Sequence, residues 1–383
     1  MKYFNNYNKI FFLLILYFTL YLISSSYMNS RHEQNIFLLS YDSDRYIGLE
    51  NFFDGGGQKA AWHLFFTYTV FITFLEKINL IDYYVEAQYL IFYISSILFY
   101  KSLLRFNFTK ISSILSTLFI VCNPFIIFWI HTINHAGLTI SLVMTTFYFL
   151  ARYDDAKIFK MIFFIFIFLL LKVDGKVFFT VSMILFYKFY LYDGKKSLSN
   201  LFIIIFFFVS YLFYLNYFAM GLEPFSSSYL QYQVLDNSFI YPTINNEVIE
   251  TFNKCSIDES NSLQNHFCAL INNPIYSLKL YSARFFLALT WINSNLSLKY
   301  SLFAFGMISF LYLGLLINLL NTKFTTLKFF LISTYLLTIV IVLPYFLRGD
   351  QKQVFYGIIF IVPLCFSGIE ILLKYLKTKW IKP

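Results

Sequence analysis

Long apolar runs, most of them separated by short segments that carry lysine or arginine, recur along the whole of this 383-residue chain. A membrane-spanning helix needs about 20 mainly apolar residues, with a range of roughly 17–25. The runs lie at residues 10–24, 86–104, 111–130, 134–151, 158–171, 177–192, 200–218, 301–320, 327–346 and 354–373. They predict an all-α polytopic membrane protein with about ten transmembrane helices.

The composition excludes most other classes of protein. Hydrophobic residues make up 59% of the chain and charged residues only 13%, whereas a soluble domain carries about 25% charged residues. A soluble enzyme, a disordered chain and a disulfide-rich secreted module are therefore all excluded. No internal repeat or linker divides the sequence, so we expect a single integral membrane domain over residues 1–383.

Lysine and arginine set the predicted orientation, because cytoplasmic loops carry an excess of both. If the N-terminus is cytoplasmic, every inner segment is basic; the main examples are Lys101, Arg105, Lys110, Arg152, Lys157, Lys160, Lys195, Lys196, Lys323, Lys328, Lys374 and Lys377. Both termini are then predicted to be cytoplasmic. The net charge of +9 follows from this bias, and no basic block with interleaved aromatics points to a nucleic-acid partner.

Two long segments are predicted outside the membrane. The first external loop, residues 25–85, contains a short apolar stretch at 62–75 that we expect to form an interfacial helix. The large external loop, residues 219–285, contains Cys255 and Cys268. Disulfides persist in such a compartment, so these cysteines are predicted to pair; the alternative is two free thiols, which alkylation of the unreduced protein would reveal.

An acidic pair follows the first predicted span. Asp42 and Asp44 are two residues apart, so in an extended segment their side chains point the same way. Such a pair can hold a divalent cation such as Mg²⁺ or Mn²⁺, or one carboxylate can take a proton from a hydroxyl group. The alternative interpretation is a solvated acidic turn.

Two short turns predicted on the outer side, and the membrane end of the large external loop, are basic against the charge bias; their cations are Lys172, Lys176, Arg348, Lys352 and Arg284. Lipid phosphate would explain their position through charge-assisted hydrogen bonds; the alternative is snorkelling to headgroups. His63 opens the interfacial stretch and is a weaker candidate ligand. His131 and His135 are four residues apart, but no H-E-x-x-H pattern surrounds them, which disfavours a zinc site.

These motifs together resemble one enzyme group. The segment Asp42–Glu50 is similar to the D-x-x-x-Y-x-x-x-A pattern found in the first outer loop of the GT-C superfamily of glycosyltransferases, which includes the protein mannosyltransferase and aminoarabinose transferase branches. Asn123–Arg152 resembles that group's third and fourth spans, and Leu171–Lys176 resembles its lysine-containing turn. Asp350–Phe355, followed by Pro363, resembles the start of its last helix, with no arginine at 351–353 where the family has one.

The resemblance implies an inverting glycosyltransferase that moves a sugar from a polyprenyl-phosphate carrier to a surface glycan or lipid acceptor. It places the enzyme in the bacterial inner membrane, with a periplasmic active site. Asp42 or Asp44 would act as general base or metal ligand. The substrate-binding residues would be Arg45, Tyr46, His63, Lys172, Lys176, Arg284, Arg348 and Lys352.

Two other functions stay open. A Wzy-type polymerase of O-antigen or capsule repeat units would also be aromatic-rich with a large external loop, but such enzymes generally use arginine within those loops. A polysaccharide flippase or exporter usually shows internal pseudo-symmetry, which this sequence lacks.

Overall fold

The computed structural model describes residues 59–132, 134–173, 177–192, 274–290, 298–342 and 355–380, together with the single helical residues 205 and 271. The described residues are mainly α-helical, and no β-strand occurs among them. The helices are α1 (Lys59–Lys77), α2 (Tyr84–Arg105), α3 (Lys110–Cys122), α4 (Pro124–His131), α5 (His135–Ala151), α6 (Lys157–Leu171), α7 (Phe178–Phe186), α8 (Pro274–Thr290), α9 (Leu298–Asn321), α10 (Thr326–Val342) and α11 (Phe355–Trp380). A short 3₁₀ turn (Ile81–Tyr83) precedes α2, and a π-helical segment (Tyr187–Tyr192) follows α7.

Several helices are suited to a bilayer. Three of them, Ile81–Arg105, Ser301–Asn321 and Tyr356–Thr378, are long and apolar enough to cross a membrane. Helices α3 and α4 meet the same test as a pair that bends by 50°. The all-α class is thus confirmed in the described part of the chain, and these candidate spans support a membrane protein. The count of about ten spans stays a prediction.

The predicted spans and the observed helices largely coincide where both can be compared. The span predicted at 86–104 is α2, and the one predicted at 134–151 is α5. The spans predicted at 10–24 and 200–218 lie outside the described residues, apart from Ile205. Helix α1 covers the 62–75 stretch, so a helix forms there; its place at the membrane interface stays a prediction.

The end of the predicted large external loop is helical. Helix α8 begins at Pro274 and continues to Thr290, although the apolar pattern predicts no helix between residues 219 and 300. Proline is favoured in the first turn of a helix, where its missing N–H is not needed. The rest of 219–285 lies outside the described residues, apart from Ile271.

The chain divides into two compact units. The first contains Thr67–Phe166, and the second contains residues 59–66 and the described residues from Ile167 onward. In the first unit, α5 is buried along nearly its whole length. It runs in the same direction as α2: the Thr145 hydroxyl of α5 donates to Ser95 Oγ of α2 at 2.9 Å, and Arg105 Nε donates to the Ala151 carbonyl at 3.2 Å.

In the second unit, α11 is the most deeply buried helix. Its segment from Ile358 to Val362 is completely inaccessible, as expected for a helix that is apolar on all sides. Helices α9 and α11 cross closely at Gly314 and Gly368. A Cβ atom on Gly368 would overlap the Gly314 carbonyl oxygen. Small residues at such crossings let helix backbones approach each other in membrane proteins.

Candidate functional site

Most of the residues that the sequence selects lie outside the described part of the chain. These are Asp42, Asp44, Arg45, Tyr46, Lys176, Arg348 and Lys352, together with Cys255 and Cys268. The proposed base, the proposed metal ligands and the disulfide therefore stay predictions. Among the described residues, no group of three or more His, Cys, Asp or Glu side chains is arranged to hold a metal ion.

The remaining three candidates fall on described backbone. His63 lies on α1 and Arg284 lies on α8, but their side chains are outside the description. Lys172 lies in the turn that follows α6, where it is half-buried. Its backbone N–H donates to the Phe168 carbonyl at 3.1 Å, which extends the last turn of the helix.

The first unit has one basic end. Arg105, at the end of α2, pairs with Asp155 in the segment after α5. Arg152 also pairs with Asp155, at 2.8 Å, and its guanidinium lies 3.8 Å from the ring centroid of Phe159. Two of the segments that the charge pattern predicts to be cytoplasmic, around Arg105 and around Arg152, thus meet at the same end of this unit.

The opposite end of the same unit holds a buried polar cluster, which we call the α2–α4–α5 cluster: Tyr84, Gln88, Tyr89, His131, Thr132 and Asn134. Gln88 lies 17 residues before the end of α2, so about 25 Å of helix separates the cluster from Arg105. Gln88 is 3% exposed, His131 7% and Asn134 0%. Polar groups buried this deeply must find hydrogen-bond partners or leave a considerable free-energy penalty.

Two side chains of α2 satisfy the end of α4. The last carbonyls of a helix have no partner within it. Here the Tyr84 hydroxyl donates to the His131 carbonyl at 2.5 Å, and the Gln88 amide donates to the carbonyls of Ile130 at 3.0 Å and Thr132 at 3.3 Å. The start of α2 therefore fixes the position at which α4 ends.

The same cluster holds the His131 ring in one orientation. Its Nδ1 atom lies 3.2 Å from the Ile127 carbonyl and 3.1 Å from the Tyr89 hydroxyl. The Tyr89 and His131 rings also make an edge-to-face contact at 4.9 Å between centroids. An imidazole held through one nitrogen presents the other in a defined direction, and that second nitrogen can accept a proton, a hydrogen bond or a metal.

Three buried atoms of the cluster have no hydrogen-bond partner among the described residues. They are His131 Nε2, Gln88 Oε1 and Asn134 Nδ2. The other polar atom of each of these side chains is engaged; Asn134 Oδ1, for example, accepts from the Ala136 N–H at 3.0 Å and caps α5. Unsatisfied buried polar atoms are few in native structures, and they require an explanation.

The sequence pattern does not predict this cluster. In the sequence His131 and His135 stand out only as a pair four residues apart, without a zinc-binding pattern around them. The structure separates them, since His131 ends α4 and His135 begins α5. The available signal was a glutamine and two tyrosines at the start of an apolar run, but only the fold brings them beside His131.

No protein-family model matches this chain, and no match was found among curated proteins.

Proposed function

We propose that this protein is a membrane glycosyltransferase that takes its sugar from a polyprenyl-phosphate carrier. The observation that carries the proposal is the α2–α4–α5 cluster, with its three buried polar atoms that lack partners. Polar groups within membrane helices are costly, and they commonly mark substrate pathways or reaction sites. The resemblance of the Asp42–Glu50 segment to the first outer loop of the GT-C group supports the same function.

The position of the cluster supports a reaction at the outer membrane surface. It lies at the end of the first unit away from Arg105 and Arg152, and the basic end of a membrane protein is typically cytoplasmic. Outside the cytoplasm no nucleotide sugars are present, so the donor would be lipid-linked and would enter from the bilayer. A surface glycan or a lipid would be the acceptor.

The chemistry would be divided between two kinds of group. Asp42 or Asp44 would take the proton of the acceptor hydroxyl, with or without a bound Mg²⁺ or Mn²⁺ ion. Arg284, Arg348 and Lys172 would stabilise the negative charge that develops on the departing lipid phosphate, an effect typically worth several kcal/mol of transition-state free energy. Arg is the more effective of the two cation types because it can bind phosphate through two hydrogen bonds.

The deciding experiment measures sugar transfer by the purified chain in lipid nanodiscs. Asp42→Asn and Asp44→Asn variants should be tested singly and together. Loss of a general base lowers the rate roughly 10²–10⁴-fold, so we expect at least one variant to lose transfer while expression and membrane insertion stay normal. Full activity of the double variant would remove this loop from the mechanism.

Two donor types separate the proposal from the Wzy-type polymerase. We expect transfer from a polyprenyl-monophosphate sugar and none from a polyprenyl-diphosphate oligosaccharide. The opposite preference would identify the chain as a polymerase. The same chain in liposomes tests transport: movement of a lipid-linked glycan across the liposome bilayer, without any sugar transfer, would identify it as a flippase or exporter.

A further inference from the structure

The three unpartnered atoms of the α2–α4–α5 cluster differ in their hydrogen-bonding character. Gln88 Oε1 is an amide oxygen and can only accept; its companion Nε2 must be the donor, because it faces the carbonyls of Ile130 and Thr132. Asn134 Nδ2 is an amide nitrogen and can only donate, since Oδ1 accepts from the Ala136 N–H. Both amide orientations are therefore fixed by backbone groups.

The character of His131 Nε2 follows from its other ring nitrogen. The Ile127 carbonyl, 3.2 Å from Nδ1, can only accept a hydrogen bond. The Tyr89 hydroxyl, 3.1 Å away, can accept as well as donate. A proton on Nδ1 therefore suits both neighbours, whereas a bare Nδ1 would face the carbonyl lone pairs. In that tautomer Nε2 carries a lone pair and is an acceptor.

The cluster thus offers two acceptors and one donor. A phosphate or carboxylate presents acceptors only, so its oxygens would be repelled by Gln88 Oε1 and His131 Nε2. The carboxylate of Glu86, between Tyr84 and Gln88 in α2, adds negative charge at this end. An ammonium group could satisfy the two acceptors but would face the Asn134 donor. Hydroxyl groups, which both donate and accept, can satisfy all three atoms.

Helix α5 already packs closely against α4 beside Gln88. Gly137 of α5 lies directly against α4: a Cβ atom there would be 3.0 Å from the Trp129 carbonyl oxygen and 3.4 Å from Gln88 Oε1. The helices are thus already in contact beside the unpartnered amide oxygen. The described residues of these three helices supply no partner for the three atoms.

We propose that Gln88 Oε1, His131 Nε2 and Asn134 Nδ2 bind hydroxyl groups of a sugar. The inference rests on the proposed function in taking the hydroxyl-bearing ligand to be a sugar. It separates two tasks: the α2–α4–α5 cluster recognises the neutral sugar, and the phosphate of the carrier binds elsewhere.

The test uses the full chain in nanodiscs, with methyl glycosides of the common hexoses and N-acetylhexosamines as probes. Saturation-transfer NMR detects binding of each glycoside, and titration of the chain with the glycoside gives its affinity. Two variants remove one unpartnered atom each. His131→Asn keeps a donor near the Ile127 carbonyl but lacks Nε2, and Asn134→Ser keeps an oxygen to cap α5 but lacks the amide donor.

Two further variants serve as controls. His131→Gln places an amide oxygen where Nε2 lies and should retain binding. Thr145→Val removes the buried hydrogen bond from α5 to Ser95 of α2, away from the cluster. We expect at least one glycoside to bind the wild-type chain, and His131→Asn and Asn134→Ser to weaken its binding about tenfold, the effect of one lost hydrogen bond of about 1.4 kcal/mol.

Four results would overturn the proposal: no saturation transfer to any glycoside from the wild-type chain, unchanged binding by both cluster variants, equal weakening by Thr145→Val, or displacement of the bound glycoside by inorganic phosphate. Its failure is distinguishable from that of the proposed function. Glycoside binding without any sugar transfer supports the hydroxyl site and contradicts the glycosyltransferase, whereas transfer without glycoside binding contradicts the hydroxyl site alone.

Discussion

Two glycines on α9 have opposite surroundings. A Cβ atom on Gly306 would meet nothing within 4 Å, whereas one on Gly314 would overlap the backbone carbonyl of Cys365 on α11. The same substitution at these two positions therefore has opposite expected effects. Comparing the two variants therefore separates the effect of helix propensity on stability, seen at Gly306, from the effect of close helix packing, seen at Gly314.

We predict that Gly314→Ala destabilises the protein by about 1–3 kcal/mol, because α9 and α11 must move apart to admit the methyl group. Gly306→Ala, as the matched control, should stabilise it by up to about 1 kcal/mol, since alanine favours helix. Thermal unfolding of both variants in detergent measures the difference. Equal stability of the two variants would contradict the close crossing.

The individual residues of the candidate site differ in how far sequence could predict them. A carboxylate pair such as Asp42 and Asp44 is visible because its members are neighbours in the chain. Gln88 and His131 are not, because glutamine and histidine in apolar runs are common and their partner lies 42 positions or more away. Their role follows from hydrogen bonds that only the folded helices create.

The break between α3 and α4 has a clear local cause. Pro124 cannot donate a hydrogen bond to the preceding turn, so a helix ends before it. The Asn123 side chain then accepts from the N–H groups of Phe125 at 3.0 Å and Ile126 at 3.4 Å, which caps the new helix. An Asn–Pro pair is typical of a helix start, with the cap and then the first helical residue.

We predict that Asn123→Ala lowers the stability of the protein by about 1 kcal/mol, the usual effect of removing an N-cap. Asn123→Ser keeps an oxygen that can cap the helix, so it should lower the stability by only a few tenths of a kcal/mol. The measurement is again thermal unfolding in detergent, with both variants compared under the same conditions. Identical losses in the two variants would show that the cap itself contributes nothing.

Apolar patterning predicted the positions of most helices but not their interruptions. The run at 111–130 reads as one span, because a window of apolar residues does not register the loss of one N–H at Pro124. Helix α8 was not predicted, because Lys279 and Arg284 interrupt the apolar residues of its segment.

The molecule as a whole is expected to place the two ends of its first unit on opposite sides of the membrane. Asp82 precedes α2 and Asp154 follows α5, and both are exposed. Since α2 and α5 run in the same direction, these positions lie at opposite ends of the unit. The charge pattern assigns the Asp154 end to the cytoplasm.

We predict that a membrane-impermeant maleimide labels Asp82→Cys but not Asp154→Cys in intact cells, in a chain whose own cysteines are replaced. Permeabilised cells should show labelling of both, which controls for reactivity. Labelling of Asp154→Cys alone in intact cells would invert the predicted orientation, and with it the periplasmic position of the proposed reaction.

The order of α2 and α4 along the chain has a consequence for how the protein is made. The carbonyls at the end of α4 are buried, and a buried carbonyl without a hydrogen-bond donor is costly. Tyr84 and Gln88, which satisfy that end, precede α4 in the sequence. During translation the donors on α2 are therefore synthesised before the carbonyls of α4 that accept from them. When α4 enters the membrane, the hydrogen-bond donors for its end are already present.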